Sequence, residues 1–275
     1  MLTKHKVFDG KLVHAWTEPA YRETTRPDTR AKQYEGTNHR FVVDERDDIV
    51  GTVSDQYTLV RNADVIAALD LAAGERNLAL DPTKAAYRNG RSFYEVKVPG
   101  FGYRVSGDPS GMVPSIIVRN DYRGGGGLKI QGGIFRLACT NGLVVGDIAY
   151  FTNQRHVGQI DVIGFFRDAL SRMEEKIEVN RLLAEAMTRV RPVPEVVEAI
   201  IADTADRYRA DWDRALRENV AEIGDNMWAV AQAVSELSTH RMQTRATGDA
   251  RTEYNMGADT WATRQWDRIA ALVGA

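Results

Sequence analysis

The sequence predicts an α+β fold: an N-terminal, mostly antiparallel β-sheet with one or more short helices, then a C-terminal all-α bundle of about four helices. Three observations carry this. From about Arg40 to Arg155, short apolar runs alternate with polar positions and are punctuated by turn residues. Asn89-Gly90 separates two such runs, and this pair accepts the positive φ values of a two-residue hairpin turn. After His156 the apolar period changes from two to 3.6 and stays there. Strands first and helices second is the α+β order. The expected organisation is an N-terminal arm over 1–36, a β-rich α+β domain over 37–160, and a helical region over 161–275 packed on it.

Residues 1–36 are polar and weakly periodic, with Pro19 and Pro27 interrupting, and read as loop or a loosely docked arm. Phe41-Val42-Val43 and Ile49 to Val53 read as two strands joined by the charged turn Asp44 to Asp48, with Tyr57 to Val60 prolonging the sheet. Asn62 stands where an N-cap belongs, ahead of Val65, Ile66, Leu69 and Ala73 at helical spacing, with Gly74 as the stop. The Asn89-Gly90 hairpin follows, then a Gly/Pro-rich loop over 99–111. The central hairpin comes next: Pro114 to Arg123, the tip Gly124 to Gly127, and a return strand towards Cys139 and the turn Asn141-Gly142. Asp161 caps a long helix ended by Arg191-Pro192-Val193-Pro194. Pro194 opens a second long helix that runs to Gly224, and the two make an antiparallel hairpin. Asp225 or Asn226 starts a third helix, and Asp259 or Thr260 a terminal one.

Composition narrows the function classes. One cysteine excludes an intramolecular disulfide and a cysteine-rich zinc site. The start lacks the apolar core of a secretory signal, and no run is long enough to span a membrane, so a cytoplasmic protein without membrane contact is expected. The net charge of -2 hides an asymmetry. Residues 1–160 carry 21 Lys+Arg against 18 Asp+Glu, while the remainder is acidic. Between Arg88 and Arg155 nine basic residues face four acidic ones, an excess that suits a polyanion although such excesses are often plain solvated faces.

Several chemistries drop out. The P-loop needs Gly-Lys-Ser/Thr opening a helix, whereas Leu128-Lys129-Ile130-Gln131 continues as strand, so the four glycines read as slack in a hairpin tip. The five histidines are scattered, with no pair at helical zinc-ligand spacing. The Asp44 to Asp48 cluster lacks the glycine and ligand period of a calcium loop and reads as a solvated turn. Cys139 and His156 could form a nucleophile and base if the fold joined them, but Cys139 lies in an apolar run where a free cysteine usually acts as a core hydrophobe. No cofactor and no metal are expected.

The basic sheet remains. Arg119, Arg123, Lys129 and Arg136 crowd the central hairpin, Lys97 precedes it, and Tyr122 supplies a ring. Cations that track phosphates and aromatics that stack on bases are the parts of a single-stranded nucleic-acid groove. The expected site is therefore Arg119, Tyr122, Arg123, Lys129, Arg136 and Lys97.

The run Val53 to Asn62, the Arg119-Asn120-Asp121-Tyr122-Arg123 approach to the tip, Arg136 to Leu143 with its Cys-Thr-Asn-Gly corner, and Arg155-His156 resemble the phage/plasmid-like proteins grouped as domain of unknown function 932. The resemblance spans roughly residues 40–240. It implies a phage or mobile-element setting, no established reaction, and DNA as partner by association. Three readings stand. The first is a non-enzymatic, single-stranded DNA-binding or annealing-type protein using the basic hairpin and assembling as a homo-oligomer through the helical half. The second is an interaction or inhibitory module acting on a host factor through the helices that carry Trp212, Trp228, Trp261 and Trp266, although tryptophans so placed are more often core. The third is a Cys139/His156 enzyme.

Overall fold

The structure, a computed structural model, describes residues 2–25, 32–124, 126–136, 151–238, 242 and 256–273. The strands are β1 (Ala15–Thr25), β2 (Lys32–Asp44), β3 (Ile49–Ser54), β4 (Asp81–Arg88), β5 (Arg91–Lys97), β6 (Tyr103–Arg104), β7 (Gly111–Asp121), β8 (Gly127–Arg136) and β9 (Phe151–Arg155). The helices are α1 (Asn62–Gly74), α2 (Val162–Met187), α3 (Pro194–Asp203), α4 (Arg209–Ile223), α5 (Met227–Glu236) and α6 (Met256–Leu272). Apart from α1, which falls between β3 and β4, the strands precede the helices, and the fold is α+β as the periodicity predicts. No helix among the described residues is long and apolar enough to cross a membrane.

Two compact units divide the chain. Unit 1 holds Met1–Val96, Ile117–Ile130 and Thr152–Asp168; unit 2 holds Lys97–Ile116, Gln131–Phe151 and Ala169–Ala275. In unit 1, β1, β2 and β3 form an antiparallel sheet in that order. A second sheet has the order β4-β5-β7-β8-β9. The Asn89-Gly90 turn adopts φ of 47° and 77°, as a two-residue hairpin of this hand requires.

Three expectations for unit 1 are corrected. Residues 2–25 and 32–36 are not a loose arm, since β1 and the first part of β2 run through them and Leu2, Phe8, Val13 and Ala15 are buried, while Pro27 lies outside the described residues. Pro19 hid the strand. It sits in the outer strand of its sheet beside a bulge between Pro19 and Tyr21, and edge strands and bulges are where a sheet tolerates proline. Tyr57 to Val60 is not a strand; apart from a single bridge from Tyr57 to Val157 it passes as loop into α1. Asn62 is not the N-cap. Arg61 takes that position without a side-chain cap bond, and Asn62 is the first, buried residue of the helix. The helix ends at Gly74, as expected, and the left-handed residue that follows it is Asn77 (φ 55°).

Unit 2 is built round α5, whose residues Met227 to Ser235 are all buried. Trp212, Trp228, Trp261 and Trp266 lie in its core, with the rings of Trp228 and Trp266 edge to face at 6.4 Å. The Trp228 indole Nε1 donates to Asp108 Oδ2 at 2.9 Å. Asn226 caps α5 as expected, accepting from the Ala229 N–H, and Pro194 opens α3. The helix that begins there is not one long rod. It stops at Asp203, where Thr204 turns extended (φ -88°, ψ 122°) and its hydroxyl donates to Ile200 O at 2.7 Å. A threonine that bonds back to its own helix in this way competes with the backbone ladder. The same Asp203 carboxylate pairs with Arg268 of α6 at 2.7 Å, which holds the broken end in place. Among the described residues the break turns the expected four helices into five.

Candidate functional site

The tip of the β7–β8 hairpin, within unit 1, is where the sequence-predicted cations meet. Along β7 the side chains alternate, as any strand requires. Val118, Asn120 and Tyr122 point inward and are buried, and Arg119 and Asp121, on the alternate positions, are only half-buried.

The inward row fixes the hairpin to α1. Tyr122 is 1% exposed, packs with Ala15, Val42 and Val53, and its hydroxyl accepts from the Asn62 N–H at 2.8 Å. Burial pushes that hydroxyl's pKa up. Asn120 Nδ2 donates to Val60 O at 2.8 Å and to Asn62 Oδ1 at 2.9 Å, and the Ser92 hydroxyl donates to the same Asn62 oxygen at 2.8 Å. These bonds satisfy the first free N–H of α1 and explain why Asn62 turns inward instead of capping. They also correct the expected role of Tyr122. A ring sealed in the core cannot stack on a base.

The outward row gathers around one carboxylate. Arg123 donates through Nε to Asp121 Oδ1 and through Nη2 to Oδ2, each at 3.1 Å, and its backbone N–H donates to Oδ1 at 2.9 Å. Arg91 Nε, from β5, donates to Oδ2 at 3.3 Å. Lys129, from β8, acts on the same carboxylate through its charge. Burial nevertheless holds the Asp121 carboxyl above its ordinary range, outweighing the opposing pull of Arg91 and Lys129. Arg91 and Arg123 remain 45% and 37% exposed, so solvent reaches both.

The other predicted residues fall elsewhere. Arg119 is half-buried with its guanidinium 5.9 Å from the centre of the Phe93 ring. Lys97 is a half-buried residue of unit 2. Arg136 ends β8, and its side chain lies outside the description. Of the six, Arg123 and Lys129 converge, and the structure adds Arg91, which sequence reasoning missed. Its signal was present: Arg91 is the first residue after the Asn89-Gly90 turn, two positions from Phe93 on the same strand face.

The glycine run is not slack. Gly124 adopts φ 83° and lies so close to β3 that a Cβ there would meet Val53 Cγ1 at 3.0 Å and Thr52 O at 3.1 Å. A Cβ on Gly126 would fall 2.4 Å from Asp121 Cβ, and one on Gly127 2.4 Å from Gln154 O of β9. On the facing strand, a Cβ on Gly51 would fall 2.4 Å from Tyr122 O. Gly125 lies outside the described residues. Missing side chains are what let three backbones close on the tip.

A second polar pair lies in the same unit. The Tyr57 hydroxyl and His156 Nδ1 share a hydrogen bond of 2.5 Å, and His156 O accepts from the Thr58 N–H at 2.9 Å. His156 is 2% exposed, its Nε2 meets no partner among the described residues, and burial pushes its pKa down to about 4. It is a neutral imidazole at neutral pH. Cys139 and the Cys-Thr-Asn-Gly corner, with the turn at Asn141-Gly142, lie outside the described residues. The acidic turn is solvated over Glu45 to Asp48, as expected, and is anchored at one end: Asp44 is buried, accepts from the Arg46 N–H at 2.9 Å and from the Tyr87 hydroxyl at 3.0 Å.

Comparison with known proteins gives one match. Residues 49–261, more than three quarters of the chain, are similar to the family model described as Domain of unknown function (DUF932). No curated protein and no solved structure matches.

Proposed function

This chain belongs to the family described as Domain of unknown function (DUF932), and we propose that it is a non-enzymatic nucleic-acid-binding protein that holds single-stranded DNA by its phosphates at the β7–β8 tip. One observation carries the reading: Arg91 and Arg123 bond the single carboxylate of Asp121, Lys129 acts on it through its charge, and the three cations against one carboxylate leave an excess of positive charge at an exposed tip. Guanidinium forks suit phosphate oxygens, and contacts of this kind follow the backbone without reading sequence. An annealing-type role in a phage or other mobile element, where strands are held regardless of sequence, belongs to the same proposal. With Tyr122 in the core, the contribution expected of that ring is removed and charge carries the binding. The interaction-module reading loses its contact residues, since its four tryptophans are core.

Fluorescence anisotropy with a labelled single-stranded oligonucleotide tests the proposal. Three phosphate contacts give a log–log salt slope of about -2, or a roughly twenty-fold loss of affinity between ~50 and ~200 mM salt. Arg123→Ala and Lys129→Ala should each weaken binding and flatten the slope by about 0.7. A folded preparation that binds nothing at about 50 mM salt removes the reading.

A further inference from the structure

We infer that Asp121 is a resident anion that selects the ligand of the tip: it occupies the place of a phosphate group, so that a chain of phosphates displaces it and a single small anion does not. The inference rests on the nucleic-acid reading above and adds what sets its specificity.

The geometry supports it in three ways. Both carboxylate oxygens accept two N–H groups each, Oδ1 from the Arg123 backbone and Nε, Oδ2 from Arg123 Nη2 and Arg91 Nε. This is the paired-oxygen fork that a guanidinium offers equally to a carboxylate or a phosphate. The carboxylate also has a built seat. A Cβ on Gly126 would stand 2.4 Å from Asp121 Cβ and 2.7 Å from Oδ2, so only glycine leaves the side chain its room without a shift of the hairpin backbone. Finally, the cations it occupies are still solvent-exposed, Arg91 at 45% and Arg123 at 37%. Both side chains reach solvent while they hold the carboxylate.

Selectivity follows from tethering. A carboxylate held on the same hairpin competes at an effective concentration of millimolar or more, which a lone phosphate ion at lower concentration cannot match. An oligonucleotide meets Arg91, Arg123 and Lys129 with successive phosphates, so one displacement is offset by several contacts. The displaced carboxylate is also cheap to release, because burial already disfavours its charge.

The test compares the full chain with Asp121→Asn and Gly126→Ala, using a labelled single-stranded oligonucleotide and inorganic phosphate as competitor, with thermal melts to confirm folding. Removing the resident charge should tighten oligonucleotide binding about fivefold, the upper end of what one exposed ion pair is worth. Inorganic phosphate should compete at lower concentration against Asp121→Asn than against the unmodified chain. Gly126→Ala should lower the melting temperature, since its Cβ meets Asp121 Cβ and the hairpin backbone that seats the carboxylate has to give. If Asp121→Asn melts normally and binds no tighter, while Arg123→Ala still weakens binding, the inference falls and the nucleic-acid reading stands. If neither the unmodified chain nor Asp121→Asn binds, both fall. Binding gained only in Asp121→Asn would overturn the inference, because the oligonucleotide would then have failed to displace the carboxylate from the unmodified chain.

Discussion

Lowering the pH from neutrality towards 4 perturbs His156, the imidazole buried against Tyr57 at the end of β9. In the unfolded chain the ring takes up a proton near its ordinary 6.5; in the folded chain burial delays this to about 4. Its contribution is therefore fully present above 6.5 and is lost as the pH falls through the interval down to about 4. Each pH unit in that interval is worth about 1.4 kcal/mol, so the whole interval is worth about 3 kcal/mol. Urea denaturation followed by circular dichroism at a series of pH values measures it, with His156→Asn as reference. Asparagine keeps a polar atom near the Nδ1 position for the Tyr57 hydroxyl and does not titrate in this range. The variant starts less stable, but only the difference in pH dependence matters. The native chain should lose about 3 kcal/mol more than the variant on acidification. Parallel pH profiles in the two proteins would refute the neutral, buried imidazole.

Other consequences are equally direct. Gly51→Ala places a Cβ against two backbone groups, Tyr122 O and Arg123 Cα, and should cost about 2–3 kcal/mol in a denaturation experiment. Trp228→Phe removes the indole donor to the buried Asp108 and should destabilise the protein by about 1–3 kcal/mol; an unchanged melt would show that bond to be dispensable. Oligonucleotide binding should strengthen on mild acidification, because burial raises the Asp121 carboxyl above its ordinary range and it gives up its charge earlier than a free carboxyl as the pH falls. The same titration on Asp121→Asn should show no such strengthening.

Local signals in the sequence transferred well where the backbone itself decides. Asn89-Gly90 adopts its two positive φ values, Asp161 accepts from the Gly164 N–H at the start of α2, and Asn226 caps α5. Signals that compete with distant partners transferred less well. Asn62 has the type and position of an N-cap, but Ser92 and Asn120, both far along the chain, claim its side-chain oxygen. Tyr122 has the composition of a surface ring among cations, yet its pleat position points it into the core with Val42 and Val53. Alternation placed it on the face opposite Arg119 and Asp121, but alternation does not tell which face of a strand is covered. For the candidate site the sequence yielded Arg123 and Lys129 and missed Arg91, because membership was set by a carboxylate shared across strands.

The close approaches at the hairpin tip bear on how the protein can be handled. A run of glycines is where an epitope tag or fluorophore-bearing insertion is ordinarily placed. Here the spacing within the run is fixed at both ends: Gly126 must clear Asp121 and Gly127 must clear Gln154, while Gly124 must clear Thr52 and Val53. Lengthening the run by one residue puts a side chain, or the wrong glycine, at one of those points and slides β8 out of step with β9. Labels intended to report on the tip belong on exposed side chains beside it, such as the neighbouring Arg88, and the tip itself should be left at its native length.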